Sequence, residues 1–369
     1  MPPADSSPTP RAVLPDLGLR LTRLGTLMSP DPNDPHEAEG VLNPATARDD
    51  DDVLHLYARL VGTGNRSRVG MARVLVEEGR PVGVERERVV LAPDQSWEHG
   101  LNHGGTEDPR ITTIAALGVH VMSYVAVGPM GPRSALAISH DAHSWRRLGP
   151  IQFAFEERLH ADLNLYPNKD IVWFPEAVPG PDGRPAFAML HRPMWDFSFV
   201  TRTEPAPLPT GTDDRRAGIW ISYVPVDEAL ADPAALTRPR LHRTVALART
   251  GWESLKIGAG PAPIRTEEGW LLLYHGVSGV RSGGEWGGSS EIEHSIRYSV
   301  GAMLLSLEDP GRVIARTTEP LMQPDTADER DGTVPDVVFP TAIETIGDVR
   351  YVFYGMADTR IGIARLDGI

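Results

Sequence analysis

Short runs rich in Val, Ile, Leu, Tyr and Trp, broken by Gly, Pro and Asp, dominate the chain, and long stretches of helical period are scarce. The best helical stretch, "VDEALADPAAL" from Val226, is interrupted by Pro233, which lacks a backbone donor and breaks the turn. With 36 Gly and 34 Pro among 369 residues, the pattern predicts many short strands joined by turns, an all-β fold.

One three-part phrase recurs five times. It opens with a polar or Pro-containing segment: "LNPAT" at Leu42, "EDPRIT" at Glu107, "KDIVWFPE" at Lys169, "KIGAGPAPI" at Lys256 and "PDVVFPTAI" at Pro335. An aromatic-rich run follows ("VLHLYARLV", "HVMSYVAVG", "PAFAMLHRP", "GWLLLYHGV", "VRYVFYGMAD"), and then a run alternating small and apolar residues, such as "RVGMARV" and "RIGIARL". The openings lie about 60 to 90 residues apart, the length of a four-stranded sheet with its loops. A β-sandwich is the competing reading, but three ordered elements recurring together predict a five-bladed β-propeller with its active site on the central axis. The last phrase ends three residues before the C-terminus, so strands near Leu17 to Met28 are expected to complete the last blade. Residues 1–15 read as a flexible arm and 16–369 as one catalytic domain.

Composition narrows the chemistry. The absence of Cys excludes disulfides, thiolate metal sites and a cysteine nucleophile, and fits a cytoplasmic location. "MPPADSSPTPRAVLP" has neither the basic start nor the apolar core of a signal peptide. The longest apolar runs fall far below the roughly 20 residues that cross a bilayer, so a soluble protein is expected. A net charge of -14 argues against nucleic-acid or anionic-membrane partners, and any bound anion needs a local cluster of cations.

If the first strand of each blade opens onto the axis, that axis gathers Asn43; Glu107, Asp108 and Arg110; Lys169, Asp170 and Glu176; Lys256; and Asp336. The second strands add Arg59, Arg192 with His191, Tyr274 with His275, and Asp358. Carboxylates, cations and ring donors beside Trp173, Trp195 and Trp270 suit a sugar, whose hydroxyls seek paired donors and acceptors and whose ring face seeks an aromatic platform. The one His pair at i, i+4, His99 and His103, has glycines within and after it rather than a helical pattern, and no EF-hand loop is present, so no metal is expected. Each residue also has a plainer role: Asp108 as a turn cap, His275 as a core histidine, Lys169 with Asp170 as a solvated pair, Arg66 with Arg68 as surface charge. Glycoside cleavage needs an acid plus a base or nucleophile. Five-bladed arabinanase-type glycosidases, which this architecture resembles, place a base aspartate in an Asp-Pro unit of the first blade, and here that unit reads Asn43-Pro44. An amide cannot deprotonate water, whereas phosphate as attacking group needs no base but does need cations. Arg59, Arg68, Lys169 and His275 would supply them.

The phrases "TEDPRIT", "NKDIVWFPE", "MLHRP", "WESLKIGAGPAPIRTEEGWLLLYHGV", "YSVGAMLLSLEDPGRVIART", "VPDVVFP" and "YGMADTRIGIARL" together resemble glycoside hydrolase family 130, from about Asn43 to Leu366. The resemblance implies a five-bladed propeller and reversible, inverting phosphorolysis of a β-mannoside to α-mannose 1-phosphate, with inorganic phosphate as co-substrate and no cofactor. It makes Asp108 the general acid, acting in some members through the 3-hydroxyl of the mannosyl unit. Phosphate falls to Lys169 and His275, with Arg68 in the same role. Sugar contacts fall to Asn43, Arg59 and Asp358, and the axial candidates Glu107, Arg110, Asp170, Arg192 and Tyr274 complete the expected substrate set. A further phosphate arginine is expected near Trp145, with Arg146, Arg147 or neither as the match. The alternatives are a β-mannosidase of the same family, with Glu176 or Glu293 as base, and a noncatalytic sugar-binding propeller. Segments 201–216 and 282–294 are expected to shape the acceptor pocket. The expected partners are a β-mannoside oligosaccharide and phosphate, and a homo-oligomer is left open.

Overall fold

The computed structural model describes residues 17–100, 103–195, 207–279 and 296–368. The proposed arm, the segment 282–294 with Glu293, and residues 201–206 of the other insert lie outside the described residues.

Almost all regular structure is antiparallel strand, in five sequential groups. The first is Gly40–Arg48, Leu54–Gly62, Arg66–Glu77 and Arg80–Leu91. The second is Gly104–Ile114, Val119–Gly128, Gly131–Ser139 and Arg146–Pro150. A short parallel contact, Arg66 and Ser67 against Gly104 and Gly105, joins these two into one eight-stranded sheet. The third group is Asn168–Trp173, Pro185–Pro193, Ile219–Pro225 and Arg240–Ala246, and the fourth Lys256–Ala259, Trp270–Gly279, Ile296–Leu305 and Val313–Arg316. The fifth joins Val338–Ile346, Val349–Met356 and Arg360–Asp367 to Arg20–Met28, a strand from the other end of the chain. This is the closure expected of the segment near Leu17 to Met28. The "VDEALADPAAL" stretch forms a single helix, Val226–Ala231. It stops at Asp232, whose side chain caps a 3-10 turn with Pro233 in its first position.

Second strands read as continuous apolar runs because both of their faces are covered, as in Leu54–Gly62 and Trp270–Gly279. The outermost strand Arg80–Leu91, with solvent on one side, mixes exposed and buried positions. The core is divided into five clusters, each between two neighbouring groups. Tyr57 and Met71 pack with Met122 and Tyr124; Val121 and Leu136 with Trp173 and Phe187; Ile221 and Tyr223 with Ile257 and Leu272. Leu273 and Val300 pack with Val338 and Val352, and the fifth group returns to the first through Phe353 and Ile363 against Val41 and Leu56. First strands also meet one another: Gly40–Arg48 contacts Gly104–Ile114 and Val338–Ile346, and Asn168–Trp173 contacts Gly104–Ile114 and Lys256–Ala259.

Candidate active site

Three first strands carry the same irregularity. Pairing register slips between Leu42 and Ala45, between Glu107 and Arg110, and between Lys169 and Val172. At each slip stands an Asn or Asp in left-handed backbone: Asn43 at φ +45°, Asp108 at +46° and Asp170 at +57°. That region costs an ordinary L-residue about 1–2 kcal/mol and is most accessible to Asn and Asp, whose short polar side chains bond locally. A bulge re-aims the side chain out of the regular pleat. In these three repeats the polar opening is thus the position where the strand buckles.

The re-aimed groups meet one another. Asn43 Nδ2 donates to Asp108 Oδ1 at 2.8 Å, and Arg59 Nη1 donates to the same oxygen at 3.1 Å. Arg59 Nη2 reaches Glu107 Oε1 at 2.9 Å, and Glu107 Oε2 lies 3.8 Å from Lys169 Nζ. A second knot surrounds Asp170: Arg192 Nε donates to Oδ2 at 2.5 Å, Arg110 Nη2 to Oδ1 at 3.4 Å, and His275 Nε2 lies 3.6 Å from Oδ2. Asp108 acts electrostatically on Arg110, and Asp358 on Arg59, so the two knots form one charged cluster. Lys256 sits over the Tyr298 ring beside His275, which packs 4.5 Å from the ring of Phe339. Asp108 and Lys169 keep 12% and 18% of their side-chain surface in contact with solvent, whereas His275 keeps none. Solvent therefore reaches the acid and lysine first.

The cluster is held ionised in a specific pattern. Burial disfavours the Asp108 charge, yet Arg59, Lys169 and the Asn43 amide together hold its carboxyl below the usual range. Asp170 is buried too, but Arg192, Arg110 and His275 force it far below that range. His275 behaves oppositely: burial, with Arg192, Arg110 and Lys256 nearby, outweighs Asp170 and pushes it from 6.5 down to about 3. Its neutral ring has both nitrogens without a hydrogen-bond partner among the described residues, as are Asn43 Oδ1 and Arg110 Nε. Buried polar atoms are rarely left so, and four of them around one cluster make a site able to bind a polar ligand. The cations Arg59, Arg110, Lys169, Arg192 and Lys256 outnumber the carboxylates Glu107, Asp108, Asp170 and Asp358 by one, in a chain of net charge -14. The basin suits an anion beside a polyhydroxylated partner.

A 1,2-beta-oligomannan phosphorylase of Thermoanaerobacter sp. (strain X514) is 30% identical over 357 residues, covering 95% of this chain and 98% of that protein. The chain belongs to glycoside hydrolase family 130. Within it, a beta-1,2-mannobiose phosphorylase of the same organism is 29% identical and covers 94% of this chain and 97% of its own length. The family profile described as beta-1,4-mannooligosaccharide phosphorylase matches residues 238–368. The fold is shared with the beta-1,2-mannobiose phosphorylase of Listeria innocua in its beta-1,2-mannobiose complex: TM-score 0.63, 24% identity, 94% of this chain and 96% of that one.

Several expected residues of this family 130 chain stand elsewhere. Neighbours on a strand face opposite sides, so where Arg192 and His275 face the cluster, His191 and Tyr274 face away. His191 is buried against Asn168 and Ser222. Tyr274 donates to Glu253 at 2.8 Å and accepts from Arg316 at 3.0 Å. Arg68 lies on the face of its strand opposite Ser67 and Arg59, and bonds His36. Trp173, Trp195 and Trp270 are core residues between groups rather than sugar platforms, because side chains of that size close the gaps between sheets. Glu176 is half exposed and paired with Arg265 at 3.1 Å, and Arg147 is paired with Glu98 at 2.8 Å. Arg146 is exposed.

The site of Tyr274 exposes a repeat that sequence reading missed. Tyr124–Glu98–Arg147, Tyr274–Glu253–Arg316 and Tyr354–Glu329–Arg23 are the same buried triad in three groups, each joining a second-strand Tyr, a preceding-segment Glu and an outermost-strand Arg. The Glu-to-Tyr separations of 26, 21 and 25 residues follow no fixed period, which hides the triad from a linear search.

Proposed function

We propose that this chain is an inverting β-mannoside phosphorylase that cleaves β-1,2-linked mannooligosaccharides with inorganic phosphate and releases α-mannose 1-phosphate. The observation that carries the reading is the 2.8 Å bond from the Asn43 amide to Asp108. Where an arabinanase-type hydrolase would hold a carboxylate to activate water, an amide stands, and it orients the acid instead. The cyclic sequence of shared cores and the N-terminal strand in the fifth group support a single five-bladed propeller whose axis carries the site.

In this mechanism Asp108 gives a proton to the glycosidic oxygen as the C1–O bond breaks, and a phosphate oxygen bonds C1 from the opposite face, inverting it. Lys169, Arg110, Arg192 and the neutral His275 hold the phosphate, Asn43, Arg59, Glu107 and Asp358 the mannosyl ring. Asp108 is ionised at rest because Arg59 and Lys169 face it. A phosphate dianion beside Lys169 offsets that pull and lets Asp108 take a proton from solvent, so the acid is loaded as the co-substrate arrives. In reverse, Asp108 removes the proton of the acceptor hydroxyl. The use of inorganic phosphate and the lack of cysteine fit the cytoplasm, and no helix among the described residues is long and apolar enough to cross a membrane.

Incubating the full chain with β-1,2-mannobiose, with and without phosphate, tests the reading. Mannose 1-phosphate should form only with phosphate and as the α anomer, and Asp108→Asn should lower the rate by about 10² to 10⁴. Free mannose released at the same rate without phosphate overturns it in favour of a hydrolase.

A further inference from the structure

Away from the axis, a second cluster has ligand chemistry that the phosphorylase reading does not use. Asp49 directly follows the first strand of the first group, six residues beyond Asn43 and so about 20 Å further along extended chain. His55 Nε2 lies 2.9 Å from Asp49 Oδ2, and His143 Nε2, from the turn between the third and fourth strands of the second group, lies 3.2 Å from the same oxygen. The three ligand atoms all fall within 4.8 Å of one another.

The cluster is built rather than incidental. Asp49 Oδ1 accepts the backbone N–H groups of Asp51 and Val53, which locks the carboxylate with Oδ2 turned to the two rings. The His143 turn is pinned by Asp141, whose Oδ1 accepts the N–H groups of His143 and Ser144. His55 keeps only 3% of its side chain exposed, and its Nδ1 has no hydrogen-bond partner among the described residues, with Glu87 Oε1 3.7 Å away. That orphan makes sense if Nε2 gives its lone pair to a cation, because Nδ1 then carries the proton and turns it toward Glu87. A carboxylate behind a ligating imidazole is the usual outer support of such sites. The acidic run Asp49 to Asp52 adds cation attraction. Opposing it, Arg88 Nη2 lies 3.5 Å from His143 Nδ1, but this half-exposed side chain has the His143 carbonyl and Glu87 as alternative partners.

We propose that Asp49, His55 and His143 bind one divalent transition-metal ion of the zinc type, with a fourth position open to solvent, tying the rim of the first strand group to the second. Two imidazoles and one carboxylate are borderline ligands suited to zinc rather than to calcium or magnesium. Around a tetrahedral zinc the ligand atoms stand about 3.3 Å apart, so the 2.9 and 3.2 Å contacts need to open by only tenths of an ångström.

The test uses the full chain without a histidine tag, stripped with chelator and titrated with Co²⁺. The wild type should develop the visible absorption of four- or five-coordinate Co²⁺ at one equivalent, lost on adding Zn²⁺. His143→Ala removes a partly exposed ring and Asp49→Asn keeps the carboxamide shape, and both should abolish the absorption. Zn²⁺ should raise the melting temperature of the wild type but of neither variant. Phosphorolysis should be unchanged by chelation. Wild-type Co²⁺ that keeps its aqueous spectrum overturns the proposal without recourse to any variant, as does a spectrum that persists in both variants.

Discussion

Gly258 and Asp170 approach so closely that no side chain fits between them: a Cβ on Gly258 would lie 2.1 Å from Asp170 Oδ2 and 2.4 Å from His275 Cε1. The fourth group thus contributes an absence to the charged cluster, the space that the third group's carboxylate and its own histidine occupy.

Gly258→Ala should therefore act on the site before the fold. Overpacking typically costs about 1–3 kcal/mol, here relieved by pushing His275 and Asp170 apart. The expected result is a loss of phosphorolysis of at least about tenfold, the equivalent of 1.4 kcal/mol, with an unchanged far-ultraviolet circular dichroism spectrum. Wild-type kinetics in Gly258→Ala would show that the 170–275 spacing is irrelevant.

Lys169→Ala should raise the KM for phosphate by about 10- to 100-fold, as expected for losing a charge-assisted contact of about 1.5–3 kcal/mol, and disturb the KM for the mannoside much less. Lys169 also pulls the Asp108 proton affinity down. Without it the acid form persists to higher pH, so the alkaline limb of the kcat/KM profile should move upward. A limb that stays or moves to lower pH contradicts the proposed coupling.

Tyr274→Phe separates a staple from a binding residue. The hydroxyl links buried Glu253 and Arg316, so its loss should cost about 1–3 kcal/mol of stability, measured by urea unfolding. Both KM values should stay at wild-type levels. A selective rise in either would return Tyr274 to the site.

Stability should fall on mild acidification. His275, His191 and His242 are each held below their ordinary value, chiefly by burial. Below pH about 6.5 the unfolded chain takes up protons that the native rings refuse, so this stabilisation is complete above 6.5 and declines as pH drops, by up to about 1.4 kcal/mol per pH unit for each ring. Asp170, also depressed, adds its loss only when pH falls below the ordinary carboxylate value of 3.8. Urea midpoints at pH 7.5, 6 and 5 should decrease in that order, and a flat series would contradict the neutral-histidine assignment.

Periodicity and punctuation were enough to read the five-part strand repeat, the interrupted helix at Val226 and the N-terminal strand of the fifth group, because alternation and turn residues are local properties of the chain. Asn43, Asp108 and Asp170 were legible for the same reason: Asn or Asp tolerates the buckled backbone that aims each of them inward. Which of two candidate side chains faces the site was not local. His275 rather than Tyr274, Arg192 rather than His191, and Arg59 rather than Arg68 depend on strand register, and a shift of one residue exchanges the faces. The pairings themselves, Asn43 on Asp108, Asp170 against Gly258, and Asp49 between two histidines from different groups, join residues far apart along the chain. Long-range packing sets those contacts, and packing energy leaves no periodic trace in a single sequence.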